Sequence, residues 1–282
     1  MKALLSITIL LSFLFCSNLF SQDLMGIATY KTQRKMEISL DSTSMDESQR
    51  SHIMAMLKKQ LEKEYELEFT NTESIYKEVE KLDAPGGGQS FIQMEVITSG
   101  DAGDILYKNL EEKRYTSQNE AFSKLFLIQD PIETPEWKLE KETKNIGDYT
   151  CFKATCTRMA TIVNSIRSSN DEDEKEPEEE EIEQTITAWY TPQIPIENGP
   201  SRYGGLPGLI LEVSDGQETI LCSKIILNPK KGLSIAEPRD GKKVTQDQFQ
   251  KIMDKKMKEV NERYENNNDD DDGERIEIRI GG

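Results

Sequence analysis

AWYTPQIPIENGPSRYGGLPGLILEV, residues 188–213, is the stretch whose reading decides the fold. It opens as a strand carrying Trp189 and Tyr190 and closes as another, Leu209-Ile210-Leu211-Glu212-Val213. Between them Pro192, Pro195 and Pro200 each fix their own φ and push the preceding residue out of the helical region, so the connection runs extended. Gly204 and Gly205 permit backbone geometries and close approaches that a Cβ forbids. Leu206-Pro207-Gly208-Leu209 fits a type II turn, with proline at its second position and glycine at its third, where φ is positive. The expectation is two strands joined by a long, proline-stiffened crossing that ends in a structural turn.

Outward from this centre the chain reads as short strands with turn punctuation. On the N-terminal side, strand signals fall at Leu24–Leu40, Tyr65–Phe69, Ser74–Glu80, Phe91–Ile97, Asp104–Asn109, Lys113–Ser117, Lys124–Ile128, Trp137–Leu139 and Tyr149–Val163. On the C-terminal side they fall at Glu218–Leu227 and Ile276–Ile280. Two capping-box patterns, Ser44-Met45-Asp46-Glu47 and Thr245-Gln246-Asp247-Gln248, each precede apolar residues at helical spacing, which predicts two amphipathic helices. The expected fold is therefore α+β: a large curled antiparallel sheet, half-open and barrel-like, with two amphipathic helices against its concave face or open end.

The hexapeptide Gly205-Leu206-Pro207-Gly208-Leu209-Ile210 resembles the signature of the GLPGLI family. The segment from Glu136-Trp137-Lys138 through Ile146-Gly147-Asp148 to Ala154 resembles a second block of the same proteins. The resemblance implies a secreted or periplasmic protein of a family known mainly from Bacteroidota, with no established activity. It makes residues 204–210 a structural signature and assigns no catalytic residue.

Met1-Lys2, the apolar run Ala3–Phe15 and the more polar end Cys16–Gln22 have the tripartite form of a secretory leader,. The expected domain organisation is a signal peptide over 1–21 and one domain over 22–282. That domain carries an acidic loop insertion at 168–183 and a polar tether at 265–273. Lipidation of Cys16 is disfavoured because the large Phe15 precedes it, and no second apolar run is long enough to span a bilayer,. The formal charge of −17 argues against nucleic acid and anionic membrane surfaces as partners,. Cys151, Cys156 and Cys222 remain after the leader. Cys222 can pair with Cys151 or with Cys156, or all three stay free as small buried hydrophobes.

Sites of known chemistry are hard to assemble from these residues. His52 is the only histidine, which argues against a His-rich zinc centre and leaves a single imidazole for any Ser–His or Cys–His pair. Asn268-x-Asp270-x-Asp272-Gly273 has half of a calcium loop, but Arg279 stands where the bidentate glutamate belongs,. The acidic run reads as a solvated face. No cofactor motif is present, since the glycines of the centre do not follow a strand and open a helix. Trp189, Tyr190 and Tyr203 either line a ligand groove or brace the core. The expectation is a non-catalytic binding or carrier-like protein taking an apolar ligand or partner. The alternative is a structural accessory of an outer-membrane assembly, docking through the signature loop or acidic insertion, and a carboxylate-dependent hydrolase ranks third.

Overall fold

The structure is a computed structural model that describes residues 24–34, 62–79, 105–164 and 178–266. The expected leader, the first helix, the Phe91–Ile97 strand, the Ile276–Ile280 strand, His52 and the Asn268–Gly273 motif lie outside those residues. So do residues 267–273 of the tether and 168–177 of the acidic segment.

Twelve strands are described. They are β1 Gly26–Arg34, β2 Glu64–Phe69, β3 Glu73–Glu78, β4 Ile105–Asn109, β5 Arg114–Ala121 and β6 Lys124–Pro131, then β7 Lys138–Ile146, β8 Tyr149–Asn164, β9 Glu178–Thr191, β10 Leu209–Ser214, β11 Glu218–Leu227 and β12 Lys242–Val244. One described helix, α1 Gln246–Asn266, follows. All twelve strands form one sheet in the order β12-β6-β5-β4-β3-β2-β1-β11-β10-β9-β8-β7.

This corrects the expected α+β class. The described molecule is mostly β, built on one open sheet, with a single helix,. The second capping box does start that helix: Thr245 Oγ1 accepts from the Gln248 amide, and Gln248 Oε1 accepts from the Thr245 amide. The helix lies beside β6, the last strand but one at that edge of the sheet. It packs at one end of the sheet, where Phe249 meets Phe126 of β6 edge-on at 5.3 Å. The acidic Glu178–Glu183 opens β9 and continues the ladder with β8.

The sheet consists of two antiparallel meanders, β1 to β6 and β7 to β11, joined by the long-range pairing of β1 with β11. Its curl follows from chain length. β6 and β7 are ten strand spacings apart in the order, which is about 48 Å along a flat sheet at roughly 4.8 Å per spacing. Only residues 132–137 join them, and those seven steps reach about 25 Å at most. The two ends of the sheet must therefore bend toward each other.

The space enclosed by that bend is filled from the chain itself. Residues 192–208 leave β9, and Ile194, Ile196 and Leu206 from them join Tyr30, Leu67, Phe69, Tyr76, Leu106 and Ile210 in one buried apolar core. Each of the larger side chains contributes about 1.5–3 kcal/mol by leaving water. The exposed edge strand β7 alternates Lys138, Glu140, Lys141, Glu142 and Lys144 and carries a register shift between Leu139 and Thr143, features that block pairing with another chain.

Candidate functional site

The crossing loop is held by its backbone. Ile196 and Asn198 each donate to the carbonyl two residues earlier, at 2.9 and 2.8 Å. This compact extended zigzag turns Ile194, Ile196 and Asn198 inward and leaves Pro195 and Glu197 exposed. The loop folds back on itself where the Gly205 amide donates to the Glu197 carbonyl at 3.2 Å and Asn198 bridges Gly204.

The signature turn differs from the type II expectation. The Gly208 amide donates to the Leu206 carbonyl at 2.7 Å, a three-residue turn about Pro207,. The Leu209 amide, which would close a type II turn, instead donates to the Ile194 carbonyl at 2.9 Å. The fold offers that amide a better-placed acceptor than the local turn does. Gly208 is required for space: a Cβ there would collide with the Thr191 carbonyl oxygen. Gly205 adopts φ +81° and lies against the Thr134 methyl, where a side chain has no room.

Beneath this loop runs a row of residues set by strand register. Ser74 of β3 lies opposite Lys108 of β4, Lys108 opposite Tyr115 of β5, and Tyr115 opposite Asp130 of β6. Side chains on one such row share a face of the sheet. Lys108 is buried, and its Nζ donates to the Gly199, Ser201 and Tyr203 carbonyls at 2.9, 2.8 and 3.2 Å. Among the described residues no carboxylate contacts it. Burial pulls this amine down to about 7, because a desolvated ammonium loses its hydration.

Around Lys108 the loop is pinned at two more points. Arg202 lies over the Tyr115 ring at 4.8 Å and donates to Gln246 Oε1 at the start of α1, and Trp137 Nε1 donates to the Gly204 carbonyl at 2.9 Å. Three buried polar atoms in or over the row make no hydrogen bond to any described residue: Ser74 Oγ, Asn198 Nδ2 and Arg202 Nε. Ser74 and Lys108 are neighbours across the strands, yet both are sealed from solvent and the amine's protons point to the loop. As arranged they are not a nucleophile and its base.

Where β5 begins and β6 ends there is an open cleft of about 480 Å³, lined by Arg114, Tyr115, Gln129, Asp130, Pro131 and Glu237. Arg114 and Glu237 form a two-pronged pair through Nη1–Oε1 and Nη2–Oε2, and the Thr116 hydroxyl donates to Glu237 as well. The Arg114 guanidinium holds the Glu237 carboxyl below the usual range. Arg114 also sits 5.9 Å from the centre of the Tyr107 ring. Burial, together with the hydrogen bond to Glu73, pushes Tyr107 up to about 12. Among the described residues no group of three His, Cys, Asp or Glu side chains could hold a metal ion.

The aromatic residues flanking the signature are not brought together. Tyr190 is in the core beside Phe152, at 6.1 Å, whereas Trp189, its neighbour on β9, faces the other way under Lys144 Nζ at 4.3 Å. Tyr203 contributes its carbonyl to Lys108. Gly204, Gly205, Leu206, Pro207, Gly208, Leu209 and Ile210 lie where the loop meets β10, with Leu206, Leu209 and Ile210 buried. Cys151, Cys156 and Cys222 are free and buried, and burial pushes the Cys151 and Cys222 thiols up to about 11 and about 12. Sequence reading missed Lys108, Arg114, Arg202 and Glu237. The one available signal was Lys108 standing two residues from Leu106 on a short strand, and hence on its apolar face,.

The fold and site together describe a large curled sheet around a proline-rich crossing. Within it, residues 137–212 match the sequence profile of a family described as "Protein of unknown function (Porph_ging)". No curated protein matches the chain. Two solved structures described as PNGF-II are similar at low identity. The C2 crystal form shares 12% identity with a TM-score of 0.44, covering 81% of this chain and 32% of that one. The P21 form shares 13% with a TM-score of 0.45, covering 82% and 33%. The chain thus spans about a third of the length of those solved chains.

Proposed function

We propose that this is a non-catalytic binding protein that engages a partner through its outer surface and carries no apolar ligand inside. The observation that supports this reading is the filled interior: Ile194, Ile196, Leu206, Leu209 and Ile210 occupy the space a carrier would leave for its cargo. The signature loop points inward, which favours docking through other surfaces. The open Arg114–Glu237 cleft is one such surface.

We further propose a secreted or periplasmic member of the GLPGLI family. The Gly205–Ile210 hexapeptide inside the matched segment and the tripartite leader support this. An outer-membrane assembly is the partner class this compartment suggests.

Natively purified protein tests the first reading by mass spectrometry after solvent extraction and by crosslinking before it. Stoichiometric lipid would establish a carrier and refute the proposal. A crosslinked protein partner lost on Arg114→Glu would support it. For the compartment, the exported chain should lack Met1–Ser21 by intact mass and carry no acyl group on Cys16.

A further inference from the structure

We propose that Lys108 and the carbonyls of the crossing loop form a proton-coupled latch, in which opening the loop takes up a proton at the Lys108 amine. The geometry that carries this is a buried amine whose partners among the described residues are the Gly199, Ser201 and Tyr203 carbonyls of one loop. Those carbonyls move with the loop, so the loop cannot open without delivering Lys108 to water.

The charged groups around the amine do not offset its burial. Across the strands it stands opposite Ser74 of β3 and Tyr115 of β5, and the Arg202 cation of the loop stacks on Tyr115. Asp130 of β6, at the far end of the row, is engaged by the Gln246 amide. Glu73, Tyr107 and Glu237 belong to the opposite face. Three carbonyl dipoles replace only part of the water an ammonium loses, so the closed loop favours the neutral amine more than water does.

The sign follows from linkage. In the open loop the amine is hydrated and binds its proton at the ordinary 10.5, whereas in the closed loop it does so at about 7. Between these values opening consumes a proton, so opening grows more favourable as pH falls; below about 7 both forms are protonated and the dependence ends. Opening also releases the contacts of Arg202 with Gln246 and of Trp137 with Gly204. Water then reaches Asn198 Nδ2, Arg202 Nε and Ser74 Oγ, which have no partner among the described residues while the loop is closed. The loop and the start of α1 therefore loosen together.

The test is amide hydrogen exchange on the full chain, corrected for intrinsic chemistry, together with a carbon-13 titration of its lysine side chains. The reporters are the Tyr203 and Gly205 amides, bonded within the loop to the Pro200 and Glu197 carbonyls. Their protection should fall about fifty-fold from pH 9 to pH 7, given 10.5 open and about 7 closed,. Amides of the β7–β8 ladder should show no such change. One lysine should titrate near 7, and Lys108→Met should remove both that titration and the loop's pH response. A flat wild-type loop, an equal response in Lys108→Met, or every lysine titrating above 10 would overturn the latch. Should Lys108→Met fail to fold, the two wild-type measurements decide alone.

Discussion

Replacing Gly208 with alanine separates a steric requirement from a conformational one. A Cβ on Gly208 would lie in collision with the Thr191 carbonyl oxygen, 2.6 Å from its carbon and 2.9 Å from the Pro192 nitrogen. All three are backbone atoms, so no side-chain rotation relieves the overlap. The φ of +157° is close to extended backbone and adds little. Relief requires prising β10 from β9 at the Leu209–Thr191 pair and lengthening the Leu209 amide's bond to Ile194. Overpacking costs about 1–3 kcal/mol and the lost hydrogen bond about 1 kcal/mol, so the expected destabilisation is about 3 kcal/mol. Gly216, at φ +93° with nothing near its missing Cβ, is the control; alanine there should cost only about 1–2 kcal/mol of backbone strain. Urea unfolding of both variants, compared at a common slope, measures the difference. If Gly208→Ala costs no more than Gly216→Ala, the collision is not what selects glycine and the reasoning fails.

Glu237→Gln should lower stability by about 1 kcal/mol at pH 7, the scale of a charge-assisted pair near the surface. Its carboxyl is held below the usual range, so this contribution exists above that range and is lost as pH falls through the folded value; wild type and variant should converge in acid melts. Tyr30→Phe removes a buried hydroxyl that donates to the Ile210 carbonyl at 2.7 Å. It should cost about 1–3 kcal/mol in chemical unfolding, because the carbonyl loses a buried donor. Trp137→Phe removes the indole donor to Gly204 at 2.9 Å and should cost about 1 kcal/mol, with faster exchange at the Gly205 amide as its local signature.

Strand positions were legible wherever alternation and turns coincide. Glu218–Leu227 is β11 at the expected bounds, and the hairpin about Asn71-Thr72 is β2–β3. Local pattern did not reveal the order of these strands within the one expected sheet, because the β1–β11 pairing joins residues about 190 positions apart in the chain. β12 was hidden for a related reason. Lys242-Lys243-Val244 has one apolar residue in three, and only its parallel pairing with Phe126–Ile128 of β6 makes it a strand. The α+β expectation failed because the described core is built from the sheet and the crossing loop, with Phe249 and Ile252 of α1 packed against its margin.

The same loop explains why the candidate site was illegible. A crossing rich in proline and glycine has few donors of its own and no ladder partner along most of its length, yet it is buried, so its carbonyls need donors from elsewhere. The structure supplies them one by one, Lys108 to Gly199, Ser201 and Tyr203 and Trp137 to Gly204, and Tyr30 likewise donates to Ile210 in β10 just beyond the crossing. Each donor lies at least 67 positions from its acceptor, Tyr30 as many as 180. Read locally, each has an ordinary explanation: Lys108 a solvated charge, Tyr30 and Trp137 core aromatics. The need is visible in the loop sequence, and the residues that meet it become visible only once the sheet has curled. A buried, donor-poor crossing therefore predicts that side-chain donors exist without saying where. In this chain the strongest of them is a lysine, the one donor here whose own charge resists burial.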